Sequence, residues 1–197
     1  MELILGSQSP RRREILSFFN YPFRQVSPSF DEDAVPYSGD PAVYAQSLAT
    51  GKAHSLSQQF SHAIILTADT VVIKDHKLYG KPANEEESFQ HLKALVGNWH
   101  TVITALTVSS KGQLFEGFEV TKVLLNHLTD EQIIQYHRAL PCTDKAGGYM
   151  IQGAGSLIVQ KIEGCYFNVV GLPVNCLQRL LQQAGINLWS YLKGSYA

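Results

Sequence analysis

Several patterns that commonly reveal a chemistry are missing from this 197-residue chain. It has no Gly-x-x-x-x-Gly-Lys-Ser/Thr phosphate loop, no Gly-x-Gly-x-x-Gly dinucleotide fingerprint and no serine in a nucleophile-elbow pattern. None of its seven histidines is paired at a spacing typical of zinc ligands. Any phosphate binding by this protein must therefore use a different scaffold.

Cysteine and long apolar runs are also scarce. The three cysteines, Cys142, Cys165 and Cys176, are odd in number and lack zinc-like spacing, which argues against a disulfide framework and fits a reducing compartment. No stretch approaches the roughly 18 apolar residues of a membrane helix. The start, Met1-Glu2-Leu3, lacks the basic segment and apolar run of a signal peptide. We expect a cytoplasmic protein without a membrane partner.

Excess charge of either sign is absent as well. The chain has 16 Lys and Arg against 17 Asp and Glu, which gives a net charge of −1. Such a chain has no global basic field, so a nucleic acid polymer is not an expected partner. Its positive charge is local, at Arg11, Arg12 and Arg13, and a local cluster suits a small polyanion such as a nucleotide or a sugar phosphate.

The arginine cluster stands at an unusual place. An apolar strand over residues 3–6 leads to Ser9, a typical N-cap, and to Pro10, a typical first helical residue. Residues 11–13 then fall in the first helical turn, where the helix dipole is already positive. A bound phosphate would reverse this repulsion. The alternative is a solvated basic turn.

The rest of the chain predicts an irregular alternation of strands and helices, with a long surface loop over 27–41. Strand is predicted over 64–68, 71–73, 78–79, 101–108, 114–125 and 157–162. Helices are predicted over 41–60, from the Asn84 cap to Gly97, from the Thr129 capping box to the residue before Pro141, and over 173–184. Both parallel and antiparallel pairs are implied, so we expect a mixed α/β sheet in one domain.

Asp69 interrupts the apolar run over 64–73. An ionised carboxylate in such a strand is costly unless a metal, a cation or a hydrogen-bond network meets it. Asp69 could cap a turn or bulge together with Thr70. The functional alternative is a general base or a metal ligand, two roles that a hydrolase needs near a phosphoryl group.

Other charged residues have two interpretations each. The acidic cluster over 31–33 is either a solvated loop or a source of oxygen ligands for Mg²⁺ or Mn²⁺. Lys52 lies on the core side of its predicted helix, and Lys81 stands in a constrained Gly-Lys-Pro turn. Each lysine is a surface charge or a phosphate ligand, and the glycine-rich segment over 145–153 is a plain loop or a ligand contact.

Taken together, these segments resemble the Maf-like nucleoside triphosphate pyrophosphatases, and the match runs in order along nearly the whole chain. The matching segments are Ser7-Gln8-Ser9-Pro10-Arg11-Arg12, Glu32, Lys52, Ala68-Asp69-Thr70, Gly80-Lys81-Pro82, His100 to Thr104, Asp144-Lys145-Ala146-Gly147-Gly148-Tyr149 with Gln152, and Gly171-Leu172-Pro173. In the loop before Asp144 the chain departs from the pattern, because Leu140 stands where many members carry an acidic residue.

The resemblance implies an enzyme that hydrolyses a nucleoside triphosphate to the monophosphate and pyrophosphate with a divalent cation, Mg²⁺ or Mn²⁺. It implies a mixed β-sheet in a single two-lobed domain over residues 1–197, with a central cleft, and a homodimer. By position, Asp69 matches the proton acceptor that activates water, and Glu32 and Asp69 match the metal site. The residues that match triphosphate ligands are Ser7, Arg11, Arg12, Lys52 and Lys81.

Within the family, Ala68-Asp69-Thr70 and the segment ending in Gln152 resemble the dTTP/UTP branch rather than the 7-methyl-GTP branch. Arg12, Thr70 and Gln152 fall where that branch sets substrate choice. The amide of Gln152 offers a donor and an acceptor, which match O4 and N3–H of uracil or thymine. The implied task is removal of surplus or non-standard pyrimidine triphosphates. The alternatives are a pyrophosphatase for 7-methyl-GTP or another modified triphosphate, and a non-catalytic nucleotide-binding regulator of septum formation and cell division.

Overall fold

A mixed β-sheet carries the fold in the computed structural model, which describes residues 1–194. The strands are β1 Leu3–Gly6, β2 Phe23–Val26, β3 Ile64–Lys74, β4 Lys77–Tyr79, β5 Trp99–Ser110, β6 Gln113–Leu125 and β7 Val159–Glu163. Their order is β2-β1-β3-β5-β6-β7, and β4 pairs with β3. Because β1 is parallel to β2 and β3 whereas β4 and β7 pair antiparallel with β3 and β6, the predicted mixed sheet is confirmed.

The helices are α1 Pro10–Leu16, α2 Pro41–Ser57, α3 Glu85–Leu95, α4 Asp130–Ala139, α5 Tyr166–Val170 and α6 Val174–Gln183, with short 3₁₀ helices at Ala146–Gly148, Gly153–Ile158 and Leu188–Tyr191. The predicted caps Ser9, Asn84 and Thr129 each accept a backbone hydrogen bond from their helix. Across residues 1–194, none of the helices has both the length and the apolar character needed to cross a bilayer.

The chain folds as two compact units. Within the described residues, the first contains residues 1–69, 104–119 and 171–194, and the second contains residues 70–103 and 120–170. The strands β3, β5 and β6 each contribute residues to both units. A single domain over 1–197 with a central cleft stays a prediction, and residues 195–197 lie outside the described part of the chain.

Local structure differs from the sequence prediction at β7, β2 and α5 and agrees with it at the turn between β3 and β4. The strand expected over 157–162 begins only at Val159, because residues 153–158 form a 3₁₀ helix that leaves Leu157 80% exposed. The short β2 and α5 were not predicted. Asp75 and His76 form the expected turn between β3 and β4, with φ values of 50° and 62°, the left-handed geometry of a tight hairpin.

In the first unit, the parallel pairing of β1 and β3 sets the position of the loop that follows β1. Gly6 pairs with Thr67, so Ser7 begins its loop at the edge of the sheet where Ala68 and Asp69 continue β3. A Cβ atom on Gly6 would lie 2.5 Å from a Leu56 methyl carbon and 2.7 Å from a Thr67 methyl carbon. Glycine at this position therefore lets the strand pack closely against its neighbours.

The long loop over residues 27–40 is fixed to α2 by an aromatic contact. A Cβ atom on Gly51 would lie 2.2 Å from Cζ of Phe30, so the Phe30 ring rests directly on the helix backbone. Phe30 stands two residues before Glu32, and Gly51 directly precedes Lys52. This contact holds the acidic part of the loop beside the helix that carries the lysine.

The contact predicts that Gly51→Ala and Phe30→Ala are coupled in stability. With Phe30 present, the new methyl group must displace the ring, and the cost of that displacement offsets the gain in helix propensity. In the Phe30→Ala background that obstacle is gone, so Gly51→Ala should raise the free energy of unfolding by about 1 kcal/mol. Urea unfolding of the four proteins of this double-mutant cycle measures the coupling. Equal effects of Gly51→Ala in the two backgrounds would contradict the packing described here.

Candidate functional site

The centre of the candidate site is a buried lysine held between two carboxylates in the first unit. Nζ of Lys52 lies 2.6 Å from Oδ1 of Asp69 and 3.0 Å from Oε1 of Glu32. The side chains of Lys52 and Asp69 are only 7% and 10% exposed, whereas that of Glu32 is 43% exposed. Lys52, a predicted phosphate ligand, therefore contacts both predicted metal ligands.

The helix places this lysine where a hydrophobic residue would normally stand. The residues of α2 that face the core are Ala45, Leu48, Ala49, Lys52, Ala53 and Leu56. An ammonium group at such a position loses its hydration, and only close contact with carboxylates offsets that loss. The predicted placement of Lys52 on the core side is confirmed. Asp69, which interrupts the apolar pattern of β3, is paired in the fold with Lys52.

The hydroxyl group of Ser7 lies in the loop after β1, and its contacts leave the O–H donor unused among residues 1–194. Its oxygen accepts hydrogen bonds from Nη1 of Arg12 and from the backbone N–H of Ser9, both at 3.2 Å. A hydroxyl has two acceptor lone pairs and one O–H donor, so these contacts occupy its acceptor capacity. Within residues 1–194 the O–H group itself finds no acceptor, and it can donate to an anionic oxygen.

Arg12 joins three segments of the first unit. Its Nε donates to the carbonyl of Gly171 at 2.8 Å, and its Nη1 donates to the carbonyl of Ala68 at 2.9 Å. Burial lowers the pKa of Arg12, and the charge of Asp69 opposes that effect. Because Ala68 directly precedes Asp69, the guanidinium fixes the strand at the residue before the carboxylate.

The arginines of α1 differ in their surroundings. The helix has seven residues, and Ser9 and Pro10 begin it as predicted. Arg11 is half-buried, whereas Arg13 is exposed. With so short a helix the dipole is small, so the unassigned O–H donor of Ser7 is the stronger indication of an anion site.

The remaining predicted site residues belong to the second unit. Thr70 follows Asp69 in β3 and is half-buried. Lys81 is exposed, and within the described chain its ammonium forms no ion pair. Gln152 is half-buried, and its side-chain amide finds no hydrogen-bond partner among residues 1–194. Lys81 and Gln152 therefore keep their hydrogen-bonding groups available for a ligand.

The carboxylates of this site suit a metal ion that arrives with a phosphate ligand. Over the described residues there is no group of three or more His, Cys, Asp or Glu side chains arranged to hold a metal ion. Glu32 and Asp69 converge on one cation, Lys52. Two carboxylates with substrate oxygens completing the shell are the usual arrangement for Mg²⁺, and the donor set fits that arrangement.

Two contacts of the site were not predicted from sequence. Gln25 in β2 donates through Nε2 to the carbonyl of Ser7 at 2.7 Å, and no local pattern distinguishes this glutamine from other polar residues. The carbonyl of Gly171 accepts from Arg12 across a large separation in sequence. The sequence indicates Gly171 only as part of a segment that resembles the family, because a backbone acceptor leaves no side-chain signal.

Comparison with known proteins adds evidence that is independent of this geometry. The sequence model of the family described as Maf-like protein matches residues 2–184. A protein of Chlamydia caviae named dTTP/UTP pyrophosphatase is 47% identical over 192 residues, with 97% of this chain and 98% of that protein covered. A protein of Chlamydia muridarum named nucleoside triphosphate pyrophosphatase is 40% identical over 192 residues, with the same coverage of 97% and 98%.

Among solved structures, that of the Staphylococcus aureus Ham1 protein has a TM-score of 0.46 and 15% sequence identity, and the match covers 93% of this chain and 99% of that chain. The sequence relatives are far closer and extend over almost their whole length. Since the family model and these relatives both span nearly all of the sequence, the chain belongs to the Maf-like protein family.

Proposed function

We propose that this protein hydrolyses dTTP and UTP to the monophosphate and pyrophosphate. The observation that carries the proposal is the buried contact of Lys52 with Asp69 and Glu32, beside a serine loop with an available hydroxyl donor. The names of the relatives, dTTP/UTP pyrophosphatase and nucleoside triphosphate pyrophosphatase, support the same reaction.

Asp69 is the proposed proton acceptor. Lys52 contacts its Oδ1, and within residues 1–194 Oδ2 receives no hydrogen bond. An oxygen in this state can accept a proton from a water molecule that attacks the α-phosphorus. The contacts of Lys52 with Oδ1 and of Arg12 with the adjacent backbone restrict the carboxylate, and a fixed base needs little reorganisation during the reaction.

Cationic and hydroxyl groups stabilise the charge of the triphosphate. The proposed ligands are Ser7, Arg11, Arg12, Lys52 and Lys81. Attack at phosphorus spreads negative charge over the equatorial and leaving oxygens, so most of the stabilisation is electrostatic. Glu32 and Asp69 would hold a divalent cation together with the substrate phosphates. When bound, Mg²⁺ or Mn²⁺ would neutralise charge on those oxygens.

Selection of the base is assigned to Arg12, Thr70 and Gln152. The amide of Gln152 can donate to O4 and accept from N3–H of uracil or thymine. Arg12 also holds the main chain at Ala68 and Gly171. It therefore contributes to the stability of the fold as well as to substrate choice. We expect the effects of substituting Arg12 to appear in both turnover and stability.

The first prediction concerns the products. Incubated with Mg²⁺ or Mn²⁺ and a panel of nucleoside triphosphates, the protein should release pyrophosphate and monophosphate, with dTTP and UTP as the best substrates. Ion-exchange separation of pyrophosphate from phosphate measures this outcome. Release of phosphate would overturn the proposed mechanism, and a preference for 7-methyl-GTP would overturn the proposed substrate. Binding of a triphosphate without turnover would favour a non-catalytic regulator.

The second prediction concerns the base. Asp69→Asn removes the proton acceptor but keeps an oxygen that can contact Lys52, and the Glu32 carboxylate still balances the charge of the ammonium, so the fold and nucleotide binding should persist. The turnover number should fall by about 10²- to 10⁴-fold, the usual range for loss of a general base. Steady-state kinetics and calorimetric titration with UTP separate turnover from binding.

Asp75→Asn is the matched control for this substitution. Asp75 is an exposed carboxylate in the turn after β3, and asparagine tolerates its positive φ. This variant should keep wild-type turnover. Full activity of Asp69→Asn would remove Asp69 from its role as the base.

A further inference from the structure

The segment from Gly147 to Gln152 needs outside support for its backbone. Its two glycines have φ values of +77° and +69°, and residues 149–151 belong to no helix or strand. Tyr149 and Ile151 are nevertheless buried. Backbone groups in a buried segment need hydrogen-bond partners, and a segment outside the sheet obtains them from side chains or from neighbouring loop backbone.

Tyr136 on α4 supplies both partners that Met150 needs. The Tyr136 hydroxyl donates to the carbonyl of Met150 at 2.9 Å and accepts from its backbone N–H at 2.9 Å. One hydroxyl thereby replaces the two backbone hydrogen bonds that a neighbouring strand would provide. Burial raises the pKa of Tyr136, so the phenol keeps the proton that it donates.

Two histidines hold the residues just before Met150. Nε2 of His137, the next residue on α4, lies 2.7 Å from the carbonyl of Gly148, which accepts the hydrogen bond. Nε2 of His100 lies 2.6 Å from the hydroxyl oxygen of Tyr149. Three consecutive residues, 148–150, are thus each contacted by a different side chain, and at Met150 a single side chain holds both backbone groups.

Gln152 follows this anchored stretch directly. Its backbone carbonyl accepts from the N–H of Gly155 at 2.9 Å, while its side-chain amide has no partner in the described part of the chain. The position of that amide is consequently set by the main chain on either side of it. The anchor on the N-terminal side is Met150, and Met150 depends on Tyr136.

We infer that Tyr136 is a positioning residue for base selection: by holding both backbone groups of Met150, it fixes the place from which Gln152 meets the pyrimidine. This inference rests on the proposed function, in which Gln152 distinguishes uracil and thymine from other bases. The phenol acts through the main chain and not on the reacting phosphate.

The test is Tyr136→Phe, which removes one oxygen atom and keeps the buried ring. UTP and CTP are the substrate pair, because they differ at the base edge that Gln152 is proposed to meet. The ratio of kcat/KM for UTP to that for CTP should fall by about tenfold in Tyr136→Phe, as expected for the loss of a hydrogen bond or two. The loss should appear mainly as a higher KM for UTP, with kcat little changed.

Thr129→Ala is the matched control for a merely structural effect. Thr129 caps the same helix with a capping box, so its loss weakens α4 without removing the contact between Tyr136 and Met150. Thr129→Ala should lower the melting temperature and keep the wild-type UTP/CTP ratio. Equal falls of the ratio in the two variants, or no fall in Tyr136→Phe, would overturn the inference.

Hydrogen exchange gives a readout that is independent of catalysis. The Met150 amide should exchange faster in Tyr136→Phe than in the wild type, by about tenfold, while amides in the first unit keep their rates. Unchanged exchange at Met150 would overturn the anchoring role, even if the enzyme is active. A wild-type protein that does not prefer UTP to CTP would instead contradict the proposed function, and the exchange result would still decide whether Tyr136 holds the segment.

Discussion

The buried contact between Lys52 and Asp69 is the constraint on which the first unit depends. An ammonium and a carboxylate with 7% and 10% exposure lose most of their hydration, and removing one partner of such a pair typically costs about 3–5 kcal/mol. A well-packed pair of apolar residues would serve stability equally well. The fold keeps the charged pair, brings Glu32 to the same ammonium, and fixes the loop that carries Glu32 through Phe30 and Gly51.

Parallel pairing of β1 with β3 places the loop that contains Ser7 next to this charged cluster. The register of β1 with β3 ends at Gly6 and Thr67, so the loop containing Ser7 starts beside the end of β3 that leads to Asp69. Arg12 then connects the loop, β3 and Gly171 through directed hydrogen bonds. The sequence places the arginines as charges in unfavourable positions, and for Arg12 the structure supplies partners within the protein itself. Its guanidinium orders the site in addition to any contact with substrate.

Local rules were enough to predict much of the fold and part of the site. Caps at Ser9, Asn84 and Thr129, and the turn at Asp75, follow from short-range chemistry and are confirmed. Lys52 and Asp69 were noticeable because each places a charge in an apolar pattern. The support for Ser7 by Gln25 and the anchoring of Met150 by Tyr136 were not predictable, because they join distant segments through backbone groups that carry no sequence signal.

In the proposed reaction, the cluster of Lys52, Asp69 and Glu32 directs a water molecule onto the α-phosphorus. Hydrolysis of UTP in ¹⁸O-labelled water tests it most directly, because the oxygen of the attacking water stays on the phosphorus that it attacks. Mass spectrometry should find the label in the monophosphate and none in the pyrophosphate. Label in the pyrophosphate would show attack at the β-phosphorus and would contradict the account.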